Sequence, residues 1–177
     1  MSTSTIRPAL HQPTGPPHTR IYAYGAARGE KIVPNDDLVG PIDSSDEWIR
    51  QRTGIVTRTR ANAETTAIEL STDAAAEAIA RSGVDPADID AVIVATISNP
   101  KQTPSVSAIV ADRVGANPAA AYDVNAACAG FAYAVAQADA LIRGGAAHYA
   151  VVVGAEKLSD VVDPTDRSIS FLLGDGA

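Results

Sequence analysis

Hydrophobic and polar positions along the chain predict helices that alternate with strands. Residues 66–83 have the clearest helical pattern, because Thr66 and Glu69 fit a capping box and small or apolar residues recur on one side. Gly83 follows the last turn, where glycine commonly ends a helix. The apolar run at 91–97 then predicts a buried strand of the kind found at the centre of a parallel sheet.

Further elements are predicted on both sides of this pair. Residues 20–27 alternate as a first strand would, and Ser45 can cap a short helix. Pro104 can occupy the first turn of a helix that closes near Gly115.

Strands at 119–125 and 148–156 flank one more helix, which begins near Ala129. Strands and helices in this alternating order predict an α/β fold in which helices cover a mostly parallel, mixed sheet.

The composition fits one domain with a hydrophobic core. The chain has 177 residues, of which 46% are hydrophobic and 20% are charged. Its net charge of −7 argues against nucleic acid or an anionic membrane as the main partner. No apolar run reaches the roughly 18 residues of a membrane span. Residues 1–19 lack the apolar middle of a secretory signal and predict a disordered leader before a domain at 20–177, so we expect a cytoplasmic protein.

Basic residues are concentrated between 50 and 60, where Arg50, Arg52, Arg58 and Arg60 occur without an acidic residue. In an acidic protein such a run is either a site for an anionic ligand or a solvated basic loop. The sequence alone favours neither interpretation.

The sequence offers no metal site. A single cysteine cannot form an internal disulfide, and no C-x-x-C motif is present. The three histidines, His11, His18 and His148, match no ligand spacing. We therefore expect no bound metal.

The single cysteine, Cys128, lies between the strand predicted at 119–125 and the following helix. A lone cysteine among alanines is more often a small buried hydrophobe than a reactive group. At a helix N-terminus, however, unpaired amides and the positive end of the helix dipole favour the thiolate. A thiolate can attack a thioester carbonyl, and nearby amides can hold the oxyanion. Position alone leaves both interpretations open.

Four segments resemble, in order and spacing, the first half of β-ketoacyl-acyl-carrier-protein synthase III, the thiolase-fold condensing enzyme that starts fatty-acid chains. They are SSDEWIRQRTGI, DVNAACAGFAYAVAQADALIRGG, YAVVVGAE and DPTDRSISFLLGDGA, and the resemblance covers 20–177. It implies a thiolase-like fold, of which this chain holds one layered α/β/α half. It also implies acyl transfer from acyl-CoA to a cysteine, then decarboxylative condensation with malonyl-acyl-carrier protein, without a metal or redox cofactor.

The resemblance assigns roles to individual residues. Cys128 in AACAG matches the family's acyl-accepting nucleophile. Trp48 and Arg52 in DEWIRQR match the pair at the nucleotide end of coenzyme A, and Arg167 in DPTDR matches a second arginine there. A tryptophan face and a guanidinium can enclose an adenine, and arginines pair with phosphates. Taken singly, these would be a core tryptophan and surface arginines.

Thr103 matches the position that reaches across the family's dimer interface into the partner's acyl pocket. Many relatives have phenylalanine there, so threonine implies a primer that is branched or longer than acetyl. The alternative is an ordinary loop threonine before a proline. The resemblance further implies a homodimer.

The family's catalytic histidine and asparagine lie in its second half, and no histidine here corresponds to that histidine. Residues 168–177 predict the entry to a strand without a covering element, so we expect an incomplete chain. The implied partners are acyl-CoA and the acidic acyl carrier protein, for which Arg50, Arg58 and Arg60 are candidate contacts.

Two alternatives remain open at the level of sequence. Relatives in secondary metabolism transfer acyl groups to hydroxyls or amines, or load unusual starter units, and this sequence does not reveal the acceptor. The chain can also be a truncated, non-catalytic fragment or a dimerisation module. Activity with malonyl-acyl-carrier protein or with a small acceptor distinguishes the enzymes, and size-exclusion behaviour tests the fragment.

Overall fold

The computed structural model describes residues 15–177. Residues 1–14, most of the predicted leader, lie outside the described residues. The remainder of that segment contacts a helix: the Gly15 amide donates to the Arg143 carbonyl at 3.1 Å, and the Thr19 hydroxyl donates to Asp139 at 2.7 Å. No helix in the described range is long and apolar enough to cross a bilayer.

The described part of the chain contains short strands and four α-helices. The strands are β1 (Lys31–Pro34), β2 (Thr57–Arg60), β3 (Ala91–Ala95), β4 (Ala120–Val124), β5 (Ala150–Gly154), β6 (Glu156–Lys157) and β7 (Asp175–Gly176). The helices are α1 (Asp46–Thr53), α2 (Ala67–Ser82), α3 (Val106–Val114) and α4 (Gly130–Arg143).

The central sheet has the order β4-β3-β5, and all three strands are parallel. In its register, Ala91 lies opposite Ala120 on one side and Ala150 on the other. The antiparallel pairs β1-β2 and β6-β7 form separate two-stranded sheets. The α/β prediction is therefore confirmed. Because parallel strands end at the same edge, the segments after β3, β4 and β5 meet there, where α/β sheets commonly bind ligands.

Helices cover both faces of the central sheet. Val92 and Val94 pack in a buried cluster with residues of α2 and α3, whereas Ile93 and Ala95 pack against Ala134 and its neighbours on α4. This alternation follows from the two-residue period of a strand. β3 is buried on both faces, as its continuous apolar sequence predicts.

α2 begins and ends where its sequence predicts. The Thr66 hydroxyl accepts from the Ile68 amide, and the Glu69 carboxylate accepts from the Thr66 amide at 3.0 Å. Gly83 ends the helix with a φ of 71°, a left-handed conformation that glycine adopts at little cost. The capping box is confirmed.

The predicted first strand at 20–27 is wrong. In the described part of the chain, only Ala27 of this segment finds a strand-like backbone partner, at Ala177. The preceding residues follow α2 instead, where the Ala26 amide donates to the Glu77 carboxylate at 2.7 Å. An alternating pattern forms a strand only where a neighbouring backbone completes the ladder.

Pro104 precedes α3 rather than occupying its first turn, which corrects that prediction. Ser105 is the N-cap, and its hydroxyl accepts from the Ala108 amide at 3.2 Å. A serine suits this position because its oxygen satisfies an amide that the helix itself leaves free. The predicted end at Gly115 is confirmed.

Candidate active site

Cys128 lies at the carboxyl end of β4, in a 3₁₀ turn (Ala127–Ala129) that leads directly into α4 at Gly130. The predicted position between a strand and a helix N-terminus is confirmed. The thiol is exposed and forms no disulfide, unlike the small buried hydrophobe that a lone cysteine usually is.

The turn that carries Cys128 is held close to the sheet. Ala127 has a φ of 45°, a left-handed conformation that costs a residue with a side chain about 1–2 kcal/mol. Gly130 approaches β3 so closely that an added Cβ would lie 3.0 Å from the Ala95 Cβ. The left-handed backbone at Ala127 and the close packing of Gly130 together fix the position of the Cys128 thiol at the sheet edge.

The loop that follows β3 lies at the same edge as Cys128. The Thr96 amide donates to the Val124 carbonyl at 3.3 Å, so the loop starts beside the end of β4. Thr103 lies farther along this loop, before α3, and is exposed. Thr103 and Cys128 therefore lie on neighbouring connections of one sheet edge.

Two carboxylates that the sequence motifs do not single out hold this loop. Glu156, just after β5, accepts from the Ile97 and Ser98 amides, and Asp123 on β4 accepts from two amides at the start of α3. Each is an acidic residue at or just beyond the end of an apolar strand, in a segment that carries the resemblance, but no role was assigned to it. This position does not say which backbone amides the carboxylates reach.

Trp48, Arg52 and Arg167 come together in space. The Arg52 guanidinium carbon lies 4.2 Å from the centroid of the Trp48 ring, and that of Arg167 lies 5.5 Å from it. Phe171 packs edge-on against the same ring, with the centroids 5.3 Å apart. Cation–π attraction favours both guanidiniums at the indole. The three residues that the resemblance assigns to one site thus form one group, called here the Trp48 cluster (Trp48, Arg52, Arg167).

α1 sets the geometry of the Trp48 cluster. The Ser45 hydroxyl caps this helix by accepting from the Trp48 amide at 3.1 Å, as predicted. Trp48 and Arg52 are one turn apart on a single helix face. Both arginines are exposed, and Arg167 approaches the exposed Asp43 only to 3.9 Å. Two cationic groups beside an aromatic ring suit a ligand that combines a planar ring with anionic groups.

The basic run at 50–60 does not form one surface, and Arg58 is wrong as a candidate contact for a carrier protein. Arg58 is only 7% exposed and donates to a β1 carbonyl and to the Asn35 side chain. Burial, and then the positive charge of Arg60, lower the pKa of the Arg58 guanidinium. Arg50 is exposed but forms an ion pair within α1. Because β2 turns Arg58 inward, it cannot contact a partner at the surface.

The sequence also raised the questions of a metal site and of the role of His148. Among residues 15–177, no group of three His, Cys, Asp or Glu side chains is placed to hold a metal ion. His148 is exposed, and its Nδ1 lies 3.7 Å from an oxygen of Asp90, which directly precedes β3. Both residues are at the amino-terminal edge of the sheet, so the length of the strands separates them from Cys128.

Sequence comparison relates the chain to one family. Residues 122–177 match the model of 3-oxoacyl-[acyl-carrier-protein (ACP)] synthase III. The β-ketoacyl-[acyl-carrier-protein] synthase III of Kocuria rhizophila is 54% identical over 160 residues, which are 90% of this chain and 45% of that protein. The protein of the same name from Tropheryma whipplei is 52% identical over 160 residues, or 90% of this chain and 50% of that protein. The chain spans about half the length of the curated relatives it matches.

Solved structures extend the relationship to the fold. The priming β-ketosynthase of the R1128 polyketide biosynthetic pathway matches with a TM-score of 0.92 and 39% identity, over 96% of this chain and 50% of that one. The 3-oxoacyl-[acyl-carrier-protein] synthase III of Aquifex aeolicus matches with a TM-score of 0.86 and 41% identity, over 90% and 51%. The predicted thiolase-like α/β fold is thereby confirmed. By sequence and by fold, the chain belongs to the β-ketoacyl-[acyl-carrier-protein] synthase III family.

Proposed function

We propose that this chain carries the acyl-accepting site of a condensing enzyme of fatty-acid chain initiation. The Cys128 sulfur attacks the thioester carbonyl of acyl-CoA, a new carbon–sulfur bond forms, and coenzyme A leaves with the proton of the thiol. The acyl group then condenses with malonyl-acyl-carrier protein, which loses carbon dioxide and so supplies the attacking carbanion. This chemistry uses neither a metal nor a redox cofactor.

The exposed thiol at the start of α4 is the observation that carries the proposal. Helix N-termini have free backbone amides, which can hold the oxyanion that develops during attack on a thioester. The left-handed Ala127 beside Cys128 is the kind of strained residue that clusters at active sites. The curated relatives, which are named as β-ketoacyl-[acyl-carrier-protein] synthase III, support the same chemistry.

The Trp48 cluster supports coenzyme A as the donor of the acyl group. We assign the adenine to the Trp48 face and the phosphates to Arg52 and Arg167. A base stacked between two planar groups needs about 7 Å between them, twice an ordinary carbon–carbon contact. Arg52 lies 4.2 Å from the ring centroid, so an adenine that stacks on the same face of Trp48 must displace this guanidinium.

Intact-mass spectrometry of the 177-residue chain after incubation with acyl-CoA tests the proposal. We expect one acyl adduct in the natural sequence and none in Cys128→Ser. Arg52→Ala should raise the acyl-CoA concentration needed for half-maximal labelling by about tenfold, because a charge-assisted contact to phosphate is lost. Arg81→Ala is the matched control, since Arg81 also lies over an aromatic ring, Tyr24, but outside the Trp48 cluster. A folded chain that acquires no adduct contradicts the proposal.

Thr103 supports a primer that is branched or longer than acetyl. Its side chain is small and exposed. In the partner's acyl pocket, which the resemblance implies that this position reaches, threonine would leave more space than phenylalanine. Thr103→Phe should shift labelling towards acetyl-CoA in a competition between acetyl-CoA and branched or medium-chain acyl-CoAs. An unchanged distribution of adducts would contradict this assignment.

A second candidate keeps the acyl-enzyme and changes the pathway. The structural match to a protein described as a priming β-ketosynthase of a polyketide pathway favours loading of a starter unit in secondary metabolism. The two candidates share the first step and differ in the acceptor. Transfer of the label from Cys128 to malonyl-acyl-carrier protein of fatty-acid synthesis, measured against a polyketide carrier protein, distinguishes them.

The proposal also includes partners and location. We propose that the enzyme acts in the cytoplasm as a homodimer, with acyl-CoA and an acyl carrier protein as partners and without nucleic acid or a membrane. The net charge of −7 argues against nucleic acid and an anionic membrane as partners. Analytical ultracentrifugation tests the dimer directly.

A further inference from the structure

The Asn35 side chain is buried and joins three distant parts of the chain. It follows β1 directly and is 1% exposed. Its amide nitrogen donates to the Asp46 carboxylate at 2.7 Å and to the Ile55 carbonyl at 2.8 Å, and its oxygen accepts from the Arg58 guanidinium. An amide nitrogen carries two hydrogens, so both donors are used. These four residues are called here the Asn35 network (Asn35, Asp46, Ile55, Arg58).

The Asn35 network holds α1 at both of its ends. Asp46 is the first residue of this helix, and Ile55 follows its C-cap. Of the eight residues of α1, all of them within the described range, only Ile49 is buried. A helix of two turns is not stable by itself, so its position depends on such attachments. The bonds from one side chain to both ends therefore fix how α1 is oriented.

Arg58 determines which way the Asn35 amide points. A guanidinium donates and never accepts, so the amide oxygen must face Arg58 and the nitrogen must face α1. Arg58 also donates to the Val33 carbonyl at 3.1 Å, and none of the ion pairs among residues 15–177 includes it. On the other side, hydrogen bonds from Arg50 and then from Asn35 lower the pKa of Asp46, which keeps this carboxylate an acceptor.

The orientation of α1 decides whether the Trp48 cluster assembles. Trp48 and Arg52 lie on α1, between the two points at which Asn35 holds the helix. Arg167 comes from a different segment, and its guanidinium carbon lies 5.5 Å from the Trp48 ring centroid. A shift of α1 would separate the two sides of the cluster, although no residue of the cluster would have changed.

We propose that Asn35 is a positioning residue for the nucleotide end of coenzyme A, because it holds α1 so that Trp48 and Arg52 face Arg167. This inference rests on the proposed function. Asn35 itself is buried and does not touch the nucleotide. Its loss should weaken the binding of coenzyme A and leave the reactivity of Cys128 unchanged.

Asn35→Ala in the 177-residue chain tests this inference by two measurements. Trp48 is the single tryptophan, so a fluorescence titration with coenzyme A under reducing conditions reports directly on the cluster. Intact-mass labelling then compares acyl-CoA with the same acyl group on N-acetylcysteamine, a thioester that lacks the nucleotide. Asp90→Ala is the matched control, because it also removes a side chain that joins distant segments, at the opposite edge of the central sheet.

We expect Asn35→Ala to raise the Kd for coenzyme A by about tenfold, since displacements of about 1 Å in well-oriented sites cost up to about 100-fold. The acyl-CoA concentration for half-maximal labelling should rise by the same factor. Labelling by the N-acetylcysteamine thioester should not change, because that substrate does not use the Trp48 cluster. Asp90→Ala should change none of the three values.

An exchange of side chains provides a second test, which also serves if Asn35→Ala does not fold. Asn35→Asp places two carboxylates against each other and removes both donors, so coenzyme A should again bind more weakly. Asp46→Asn added to Asn35→Asp restores one donor and one acceptor with their places exchanged. We expect the double variant to regain most of the affinity that Asn35→Asp loses.

Several results would overturn the inference. They are an unchanged Kd in folded Asn35→Ala, an equal loss of affinity in Asp90→Ala, and an equal slowing of labelling by the N-acetylcysteamine thioester. The titration does not require Cys128 to react, so the proposed function fails separately. A natural chain that binds coenzyme A but forms no adduct overturns acyl transfer, while weaker binding in Asn35→Ala still supports the role of Asn35. A natural chain that binds no coenzyme A overturns both.

Discussion

A carboxylate joins β3 and β5 at each edge of the central sheet, but the two edges differ in the groups that they expose. At the amino-terminal edge, Asp90 before β3 accepts from the amides of His148 and Tyr149 before β5, at 2.6 and 3.2 Å. At the carboxyl edge, Glu156 after β5 accepts from amides after β3. One carboxylate thus joins the same pair of strands at each end.

The carboxyl edge alone combines this tie with an open thiol. It carries the left-handed Ala127, the exposed Cys128 and the exposed loop 101–104. At the other edge, the hydrogen bond from the His148 amide is the largest of the causes that lower the pKa of Asp90, and the residues that form this tie include no thiol. A carboxylate that joins β3 and β5 is therefore common to both edges, whereas the groups that suit catalysis occur at the carboxyl edge.

The largest effect is expected at Gly130, where the turn that carries Cys128 touches the sheet. Gly130→Leu adds a side chain whose Cβ alone would lie 3.0 Å from the Ala95 Cβ, so α4 must move away from β3. We expect a loss of about 2–3 kcal/mol in the free energy of unfolding, measured by urea, together with loss of acyl labelling. Gly40→Leu is the control, because an added Cβ there meets nothing within 4 Å. Equal losses in both variants would contradict the close approach.

Asp123→Ala and Asp90→Ala compare the two edges directly. Each variant removes a carboxylate that accepts from two backbone amides, so each should lower the free energy of unfolding by about 1–2 kcal/mol. Acyl labelling of Cys128 should slow only in Asp123→Ala, because only that carboxylate holds the loop beside the thiol. Equal labelling rates in the two variants would remove the distinction between the edges.

Ala127→Gly should have a smaller effect of the opposite sign. Glycine adopts a φ of 45° with little cost, so the change should stabilise the chain by about 1 kcal/mol. Part of that gain is offset because glycine has more freedom in the unfolded chain. Urea unfolding gives the sign, and a destabilised variant would show that the alanine methyl group contributes packing that outweighs the strain.

The features predicted correctly from the sequence depend on neighbouring residues. The caps of α2 at Thr66 and Gly83 and the N-cap at Ser45 are set by side chains within one turn, so their pattern is visible in the sequence. The buried β3 is visible as an unbroken apolar run. The position of Cys128 followed from the boundary between a strand and a helix.

The features that were missed depend on contacts between distant segments. The segment 20–27 alternates like a strand, but a ladder needs a neighbour that the pattern itself does not reveal. Arg58 is charged and still buried, because Asn35 and a β1 carbonyl accept its hydrogen bonds. The Trp48 cluster was predicted through the resemblance. Glu156 lies in the segment YAVVVGAE but was assigned no role there, because its partners are about 60 positions away.

The smallest predicted effect concerns Glu69 on α2, in the helix layer away from both edges of the central sheet. Burial alone would raise the pKa of Glu69, but hydrogen bonds from Thr66 and Arg113 outweigh it and lower the pKa from 4.5 to about 2. A carboxyl group with a lowered pKa stabilises the fold fully above the ordinary value, and that contribution is lost as the pH falls from about 4.5 towards 2. Glu69→Gln should therefore cost more stability at pH 7 than at pH 3.

Urea unfolding of both proteins at the two pH values measures this difference. Because the side chains of Glu69 and Arg113 are 37% and 43% exposed, solvent screens their pair and the difference should be only roughly 0.5 kcal/mol. Acyl labelling at neutral pH should not change, since the pair joins α2 to α3 and touches neither sheet edge. A cost that is the same at both pH values would assign the effect to the lost cap at Thr66 rather than to the charge of Glu69.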